Sequence, residues 1–304
     1  GMSICKELVQ LMGGTIEVIS TRGKGTTVSF TITFKKGAPE DLPVNKSGTV
    51  TGDFLKDKTI LVVDDNEMNR LVAATILENY GASILEAGHG EEALAIMENN
   101  KTDMVLMDIQ MPVLNGYETA NIIRKKGNAV PVIALTANAI KGENEKCLEA
   151  GMNDYIAKPF KEEEFLKKIA YWLRTEVTIT AGSNTGRPMQ DEGAYDLSGI
   201  REISRGNHAF VQKMVTLFCE QTPILVQEMK TAYDEKDLGK MGAIAHKLKP
   251  SIDNLRIESL KQVIRDIEKY GKENTESGEL FRLLAETEST ISNVVRRMKL
   301  SESN

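Results

Sequence analysis

The sequence predicts a multidomain chain, in which an α/β doubly wound domain with a parallel five-stranded sheet is followed by an all-α four-helix bundle, with a helix and hairpin ahead of both. Three observations carry this expectation. Between residues 59 and 174, five short apolar runs alternate with amphipathic segments, as in a parallel sheet wrapped by helices. After residue 196 the strand signal stops and apolar residues recur at helical spacing. Before residue 37, one helical stretch precedes two stretches with period-two alternation.

The chain has 304 residues, enough for two or three domains, and its 41% hydrophobic content is ordinary for globular cores. A formal net charge of -6, with no helix-turn-helix or cysteine–histidine finger pattern, argues against a nucleic-acid partner. Cys5, Cys147 and Cys219 are far apart and odd in number, so neither a disulfide framework nor a zinc site is expected, and a reducing cytoplasm fits best. No run approaches the roughly 20 apolar residues that span a bilayer. No membrane contact is expected of this chain, and any anchor is expected in upstream segments.

In chain order, Ser3 to Met12 carries apolar residues at helical spacing, and Gly13-Gly14 stops it. Thr15 to Ser20 and Thr27 to Phe34 alternate with period two around the glycine-bearing turn 21–26, giving a hairpin. A segment this small should be marginal unless it docks elsewhere. Residues 38–58, rich in Lys, Gly, Pro, Asp and Ser, read as a linker.

Strands are expected at 59–64, 83–87, 103–108, 131–135 and 154–157. Two of them carry the chemistry. Ile60-Leu-Val-Val runs into Asp64-Asp65-Asn66, and Val105-Leu-Met runs into Asp108, followed by Pro112 and the Asn115-Gly116 pair. Open α/β sheets bind ligands at the carboxyl ends of their strands. Three carboxylates at one such edge repel one another unless a cation sits among them, and a divalent metal is the simplest such cation.

Residues 175–195 hold Thr, Gly, Ser, Asn, Pro and Asp with little periodicity and read as a flexible tether. Such a tether spans about 25 Å and keeps its two neighbours at roughly millimolar effective concentration. From Asp196 onward, helical stripes cover Asn207–Glu220, Pro223–Glu235, Asp237–Leu255, Glu258–Tyr270 and Ser277–Leu300. Pro223 should begin or kink a helix, Gly271 should close one, and the short connections imply antiparallel neighbours behind a short leading helix. The chain has three histidines. His89 and His208 fall at loop or helix-start positions. His246 stands mid-helix in Ala245-His-Lys-Leu-Lys-Pro-Ser251, with Leu248 toward the core. Lys249 is about 5 to 6 Å away on the same face, close enough to offset the charge of a phosphoryl group.

Three resemblances join these readings. Residues 3–34 resemble the last helix and last two strands of a histidine kinase ATP-binding domain. The rest of that nucleotide site would lie upstream, so segment 1–37 is expected not to bind ATP alone. Residues 59–174 resemble a response-regulator receiver domain. The resemblance implies that Asp108 is the phosphoacceptor, Thr136 and Tyr155 the switch pair, and Lys158, followed by Pro159, the cation that pairs with Asp108 and its phosphoryl group. It also implies that Mg2+ is held by Asp65, Asp108 and the Gln110 carbonyl, with Asp64 binding through a metal-held water. The Lys158-Pro159 bond is a candidate for the cis isomer. Residues 196–304 resemble a histidine phosphotransfer domain. This implies that His246 carries the phosphoryl group, with Leu248, Lys249 and Ser251 completing the motif. Pro250 and Arg256 stand where the family often has glycine. Pro250 should kink or open its helix, because its nitrogen has no hydrogen for the His246 carbonyl; Arg256 should narrow the choice of partner.

The resemblances together imply the carboxy-terminal part of a hybrid sensor histidine kinase. It would take phosphoryl from an upstream histidine kinase domain onto Asp108, pass it to His246, and deliver it to a downstream response-regulator receiver. Two alternatives belong to other classes. A catalytic fragment of an ATP-dependent kinase would autophosphorylate with ATP, and a phosphorylation-independent interaction module would never take label from a small phosphodonor.

Overall fold

The structure is a computed structural model that describes residues 2–21, 25–33, 48–136, 143–176, 178–181 and 194–302. It forms two compact units, Gly1–Lys46 and Ser47–Asn304. Of the turn expected at 21–26, residues 22–24 lie outside the described residues, as do residues 34–47 and 182–193.

In the first unit, helix α1 (Met2–Leu11) precedes β1 (Thr15–Thr21) and β2 (Gly25–Thr31), which pair antiparallel from Thr15↔Thr31 to Thr21↔Gly25. Within this unit Val18, Ile19, Val28 and Phe30 are exposed.

The second unit starts with β3 (Gly48–Thr51), followed by β4 (Thr59–Val63), α2 (Glu67–Glu78), β5 (Ser83–Ala87), α3 (Gly90–Asn99), β6 (Met104–Asp108), α4 (Gly116–Lys125), β7 (Val132–Thr136), α5 (Glu143–Glu149), β8 (Asp154–Ala157) and α6 (Glu162–Leu173). Strands β4 to β8 form one parallel five-stranded sheet in the order β5-β4-β6-β7-β8. The apolar runs are buried on both faces, with Ile60 to Val63 and Met104 to Met107 fully enclosed, which is why they read as continuous rather than alternating. Helix starts follow the capping residues. Asn66 accepts from the amides of Met68 and Asn69, and Asn115 and Glu118 close a capping box on α4. Gly116 is required because a side chain there would collide with the Asp108 carbonyl.

Beyond β9 (Thr178–Ala181) come α7 (Ser198–Ser204), α8 (His208–Asp234), α9 (Leu238–Asn254), α10 (Glu258–Lys272) and α11 (Glu279–Glu302). Helices α8 to α11 form a closed four-membered ring, each packed on the next and α11 back on α8, with α7 leading into it. No helix among the described residues is long and apolar enough to cross a membrane.

The sequence reading needs three corrections. Both stretches expected as linkers contribute a strand, β3 pairing antiparallel with β9 through Thr49↔Thr180 and Val50↔Ile179. Each is a short run of β-branched residues, Thr49-Val50-Thr51 and Thr178-Ile179-Thr180, and each finds its partner only in the other stretch, about 130 residues away along the chain. Pro223 lies inside a single helix, α8, whose buried stripe of Phe218, Val226 and Met229 stays in phase across it. Packing of that stripe outweighs the roughly 3 kcal/mol that an interior proline costs. Gly271 does not end α10; it lets α9 and α10 meet, since a Cβ on Gly242 would lie 2.8 Å from the Gly271 Cα. Helix α9 runs through Pro250 to Asn254, over the span expected of it.

Candidate functional site

The parallel register assembles the acidic edge. Val63 is level with Met107, so the next residues, Asp64 and Asp108, emerge side by side from β4 and β6. Each of Asp64, Asp65 and Asp108 offers a carboxylate oxygen within 4.8 Å of the others. Asp64 is buried and is held by the Asn69 side-chain amide at 3.1 and 3.2 Å and the Asn66 backbone N–H at 2.9 Å.

On the neighbouring strands, Thr136 ends β7 as a buried residue, and its carbonyl accepts from the Lys158 N–H at 2.7 Å. The Lys158-Pro159 bond is cis. The Lys158 Nζ lies 2.5 Å from Asp64 Oδ2 and 3.0 Å from Asp108 Oδ1. Burial pushes the Asp108 carboxyl up to about 7; Lys158 opposes this shift, and the Asp64 and Asp65 charges reinforce it. Burial works against the Lys158 ammonium, but Asp64 and Asp108 outweigh it and hold the group protonated above its ordinary range. One ammonium against three clustered carboxylates leaves net negative charge and hard oxygen donors, which fits a hard divalent cation. Gln110 is exposed at the same edge.

Tyr155, on β8, is half-buried. Lys168 lies 4.6 Å above its ring and donates to its carbonyl at 2.6 Å. Asp154 accepts from Lys168 at 2.7 Å and from the Trp172 indole at 3.1 Å.

Within the bundle, the close approach of Gly242 and Gly271 brings α10 against α9. That contact sets His246 Nδ1 2.7 Å from Glu268 Oε1. Lys249 and Lys272 reach the same carboxylate, at 2.8 Å and 2.6 Å. Burial alone would raise the Glu268 carboxyl, but hydrogen bonds from His246, Lys249 and Lys272 hold it well below the usual carboxylate range. Leu248 is fully buried. The Ser251 hydroxyl points at the Met68 sulfur of α2, 3.3 Å away. Arg256 turns toward the leading helix, with Nη1 2.9 Å from Asp196 Oδ2 and 2.8 Å from Ser198 Oγ. His89 caps α3 by accepting from the Glu92 N–H at 3.3 Å, and His208 begins α8.

The sheet edge and the bundle face one another. Asp65, Asp108, Lys158, His246, Lys249 and Glu268 are among the residues lining one cavity of about 360 Å³. Lys247 Nζ lies 3.2 Å from Asp65 Oδ2, and the Lys247 carbonyl accepts from the Asn66 side chain at 3.1 Å. Gln221 donates to Glu67 at 3.0 Å. Sequence reasoning missed Glu268, Lys247 and Gln221. Glu268 did leave a signal, because it continues the buried stripe of Leu260 and Ile264 at i+4 spacing, where a carboxylate needs partners. Lys247 and Gln221 left none, since their partners lie more than 150 residues away.

Residues 60–170 match the family described as response regulator receiver domain, residues 213–296 the Hpt domain, and residues 1–36 the histidine kinase-, DNA gyrase B-, and HSP90-like ATPase family. The aerobic respiration control sensor protein ArcB of Escherichia coli strain K12 is 30% identical over 281 residues, covering 88% of this chain and 34% of that protein. The virulence sensor protein BvgS of Bordetella bronchiseptica is 27% identical over 263 residues, covering 82% of this chain and 21% of that protein. A crystal structure of the receiver domain of sensor histidine kinase PA1611 from Pseudomonas aeruginosa PAO1, with a magnesium ion coordinated in its active site cleft, is 42% identical. The match covers 38% of this chain and 98% of that one, with a TM-score of 0.37. The chain spans about a third of the length of ArcB and about a fifth of BvgS. Residues 60–170 are a response-regulator receiver domain and residues 213–296 a histidine phosphotransfer domain, and the sensor proteins ArcB and BvgS are relatives whose match spans both.

Proposed function

We propose that the chain is an internal phosphorelay in which Asp108 accepts a phosphoryl group from an upstream histidine kinase domain and His246 takes it from Asp108 for delivery to a downstream receiver. The observation that carries this reading is that Asp108 and His246 line the same cavity. Magnesium is the cation we assign to the acidic cluster, with Asp65, Asp108 and the Gln110 carbonyl as its ligands and Asp64 binding through water. When bound, it neutralises charge between the carboxylates and the phosphoryl oxygens.

The protein's own groups account for the transfer. An Asp108 carboxylate oxygen bonds to phosphorus as the donor's bond to phosphorus breaks, leaving an acyl phosphate. Lys158, already paired with Asp108, shifts to a phosphoryl oxygen as a point-charge donor. Thr136, at the end of β7, supplies a hydroxyl to the same group, and Tyr155 follows the change in charge as the switch residue.

Glu268 prepares the second step. Its depressed pKa keeps it ionised at neutral pH, so it can only accept a hydrogen bond. His246 Nδ1 must therefore carry the proton, and the lone pair is left on Nε2. Nε2 bonds to phosphorus while the Asp108 acyl oxygen–phosphorus bond breaks, which returns a carboxylate at Asp108. No proton has to leave the ring, and Glu268 balances the positive charge that develops on it. Lys249 and Lys272 share that carboxylate and lie beside the incoming phosphoryl charge.

The test is labelling with a small phosphodonor and Mg2+. His246→Gln should trap label on Asp108, and the wild-type chain should move it to His246. Label that never reaches Asp108, or that reaches it and stays there in the wild type, overturns the proposal.

A further inference from the structure

The contacts between receiver and bundle fall at both ends of α2. At its amino end, Asn66 and Glu67 meet Lys247 and Gln221 beside the cavity. At its carboxyl end, about 18 Å along a helix of this length, a second group of contacts touches no reacting atom. The Asn79 side chain donates to the Ile203 carbonyl at 2.9 Å. The Arg205 guanidinium donates to the Tyr80 hydroxyl and, at 3.0 Å, to Glu162 Oε1, while lying 4.3 Å above the Tyr80 ring. Tyr80 donates its own hydroxyl hydrogen to Glu162 at 2.8 Å. Tyr80 is 2% exposed, so this is a built socket rather than a meeting of loose surface chains.

Every bundle residue in this group belongs to α7 or the turn after it, outside the four-helix ring. Helix α7 is itself pinned to the bundle, with Arg256 holding Asp196 and Ser198 at its start and Ile200 buried beneath it. Arg256 thus fixes a short arm, and the arm presents Arg205. An arginine suits this place because its planar fork can satisfy two oxygens while its face stacks on a ring, which lysine cannot do.

We propose that α7 and Arg205 are the partner-selecting surface of the phosphotransfer domain, a clasp that fits a receiver bearing an Asn-Tyr pair after its first helix and a carboxylate at the start of its last. The receiver of this same chain is that partner. A single cluster of contacts beside the cavity would leave the receiver free to pivot about it. The clasp, at the far end of α2, fixes the angle at which Asp108 faces His246.

The test uses the full chain with Arg205→Glu, Glu162→Arg and the charge-swapped double variant. Two readouts are followed: backbone hydrogen exchange across residues 67–79 without phosphorylation, and the rate at which label leaves Asp108 for His246. The rate readout rests on the relay proposed above, whereas the exchange readout does not. Each single variant should raise exchange at the carboxyl end of α2 and slow transfer about tenfold, and the swap, which restores the ion pair but not the stacking on Tyr80, should recover part of that loss. Tyr80→Phe, which keeps the ring and loses the shared hydroxyl, should slow transfer by about threefold and covers the case in which a charge reversal unfolds α7. Labelling of Asp108 by the small phosphodonor should be unchanged in all of these variants. Single variants with wild-type exchange and transfer, or a folded swap that restores neither, would overturn the clasp. A wild-type chain that never labels His246 would defeat the relay while leaving the exchange pattern to decide the clasp.

Discussion

His246 and Glu268 are joined by a 2.7 Å contact between imidazole Nδ1 and carboxylate Oε1, across a helix pair brought together by Gly242 and Gly271. The contact fixes which ring nitrogen faces the cavity. Replacing Glu268 by Gln leaves a side chain that can donate as well as accept, so the tautomer is no longer dictated. We expect Glu268→Gln to slow phosphorylation of His246 by about 10- to 100-fold, by analogy with the loss of other residues that orient a histidine, and to leave labelling of Asp108 unchanged. Rapid-quench measurement of both sites checks this, and equal rates in variant and wild type would remove Glu268 from the mechanism.

The same carboxylate makes stability depend on pH. The Glu268 native pKa lies well below the ordinary 4.5, so its contribution is present above that value and is lost as pH falls through and below it. Between about pH 5 and about pH 3 the wild-type bundle should therefore lose stability faster than Glu268→Gln, and at neutral pH the variant should be less stable by about 1 to 3 kcal/mol. Denaturant titrations followed by circular dichroism at several pH values would show parallel curves if the idea is wrong.

Gly242 connects packing to chemistry. A methyl group there meets the Gly271 Cα at 2.8 Å, so Gly242→Ala must push α9 and α10 apart. The expected destabilisation is about 1 to 3 kcal/mol. The wider spacing should also lengthen the His246–Glu268 contact and lower the transfer rate to His246. Thermal melts and transfer rates are read together, and a variant with wild-type values for both would show that the close crossing has no such role.

Lys247 should compete with a cation for the acidic edge. Its ammonium sits 3.2 Å from Asp65, where a cation between the carboxylates would draw on the same oxygen. Because Lys247 is 44% exposed, its effect is screened, and Lys247→Ala should tighten Mg2+ binding by only about threefold. Calorimetric titration with Mg2+ alone reads this directly. Unchanged or weaker affinity would mean that Lys247 does not compete.

Which parts of the site could be read from sequence depended on how far apart the partners lie. The runs ending in Asp64 and Asp108 were legible because a strand buried on both faces is apolar along its whole length, so a terminal carboxylate stands out. The histidine at 246 was legible from its polar neighbours within one helical turn. The ribbon of Thr49–Thr51 with Thr178–Thr180 was not, because each half is too short and polar to be distinguished from a linker without the other. Pro223 misled for a related reason, since local propensity marks a helix start, while the apolar stripe on both sides carries α8 through it. Arg256 was singled out as a departure from its family, yet its partners, Asp196 and Ser198, emerge only from the fold. Lys249 was placed one turn from His246 by its spacing, but its pairing with Glu268 emerges only from the fold.

The central claim is that Asp108 passes its phosphoryl group to His246 of the same chain. The most direct measurement loads Asp108 from a small phosphodonor with Mg2+, removes the donor, and follows label on the two residues over a hundredfold range of protein concentration. Label should leave Asp108 and appear on His246 in equal amount, at a rate independent of dilution. Label that is lost from Asp108 without appearing on His246, or a rate that falls in proportion to dilution, would contradict it.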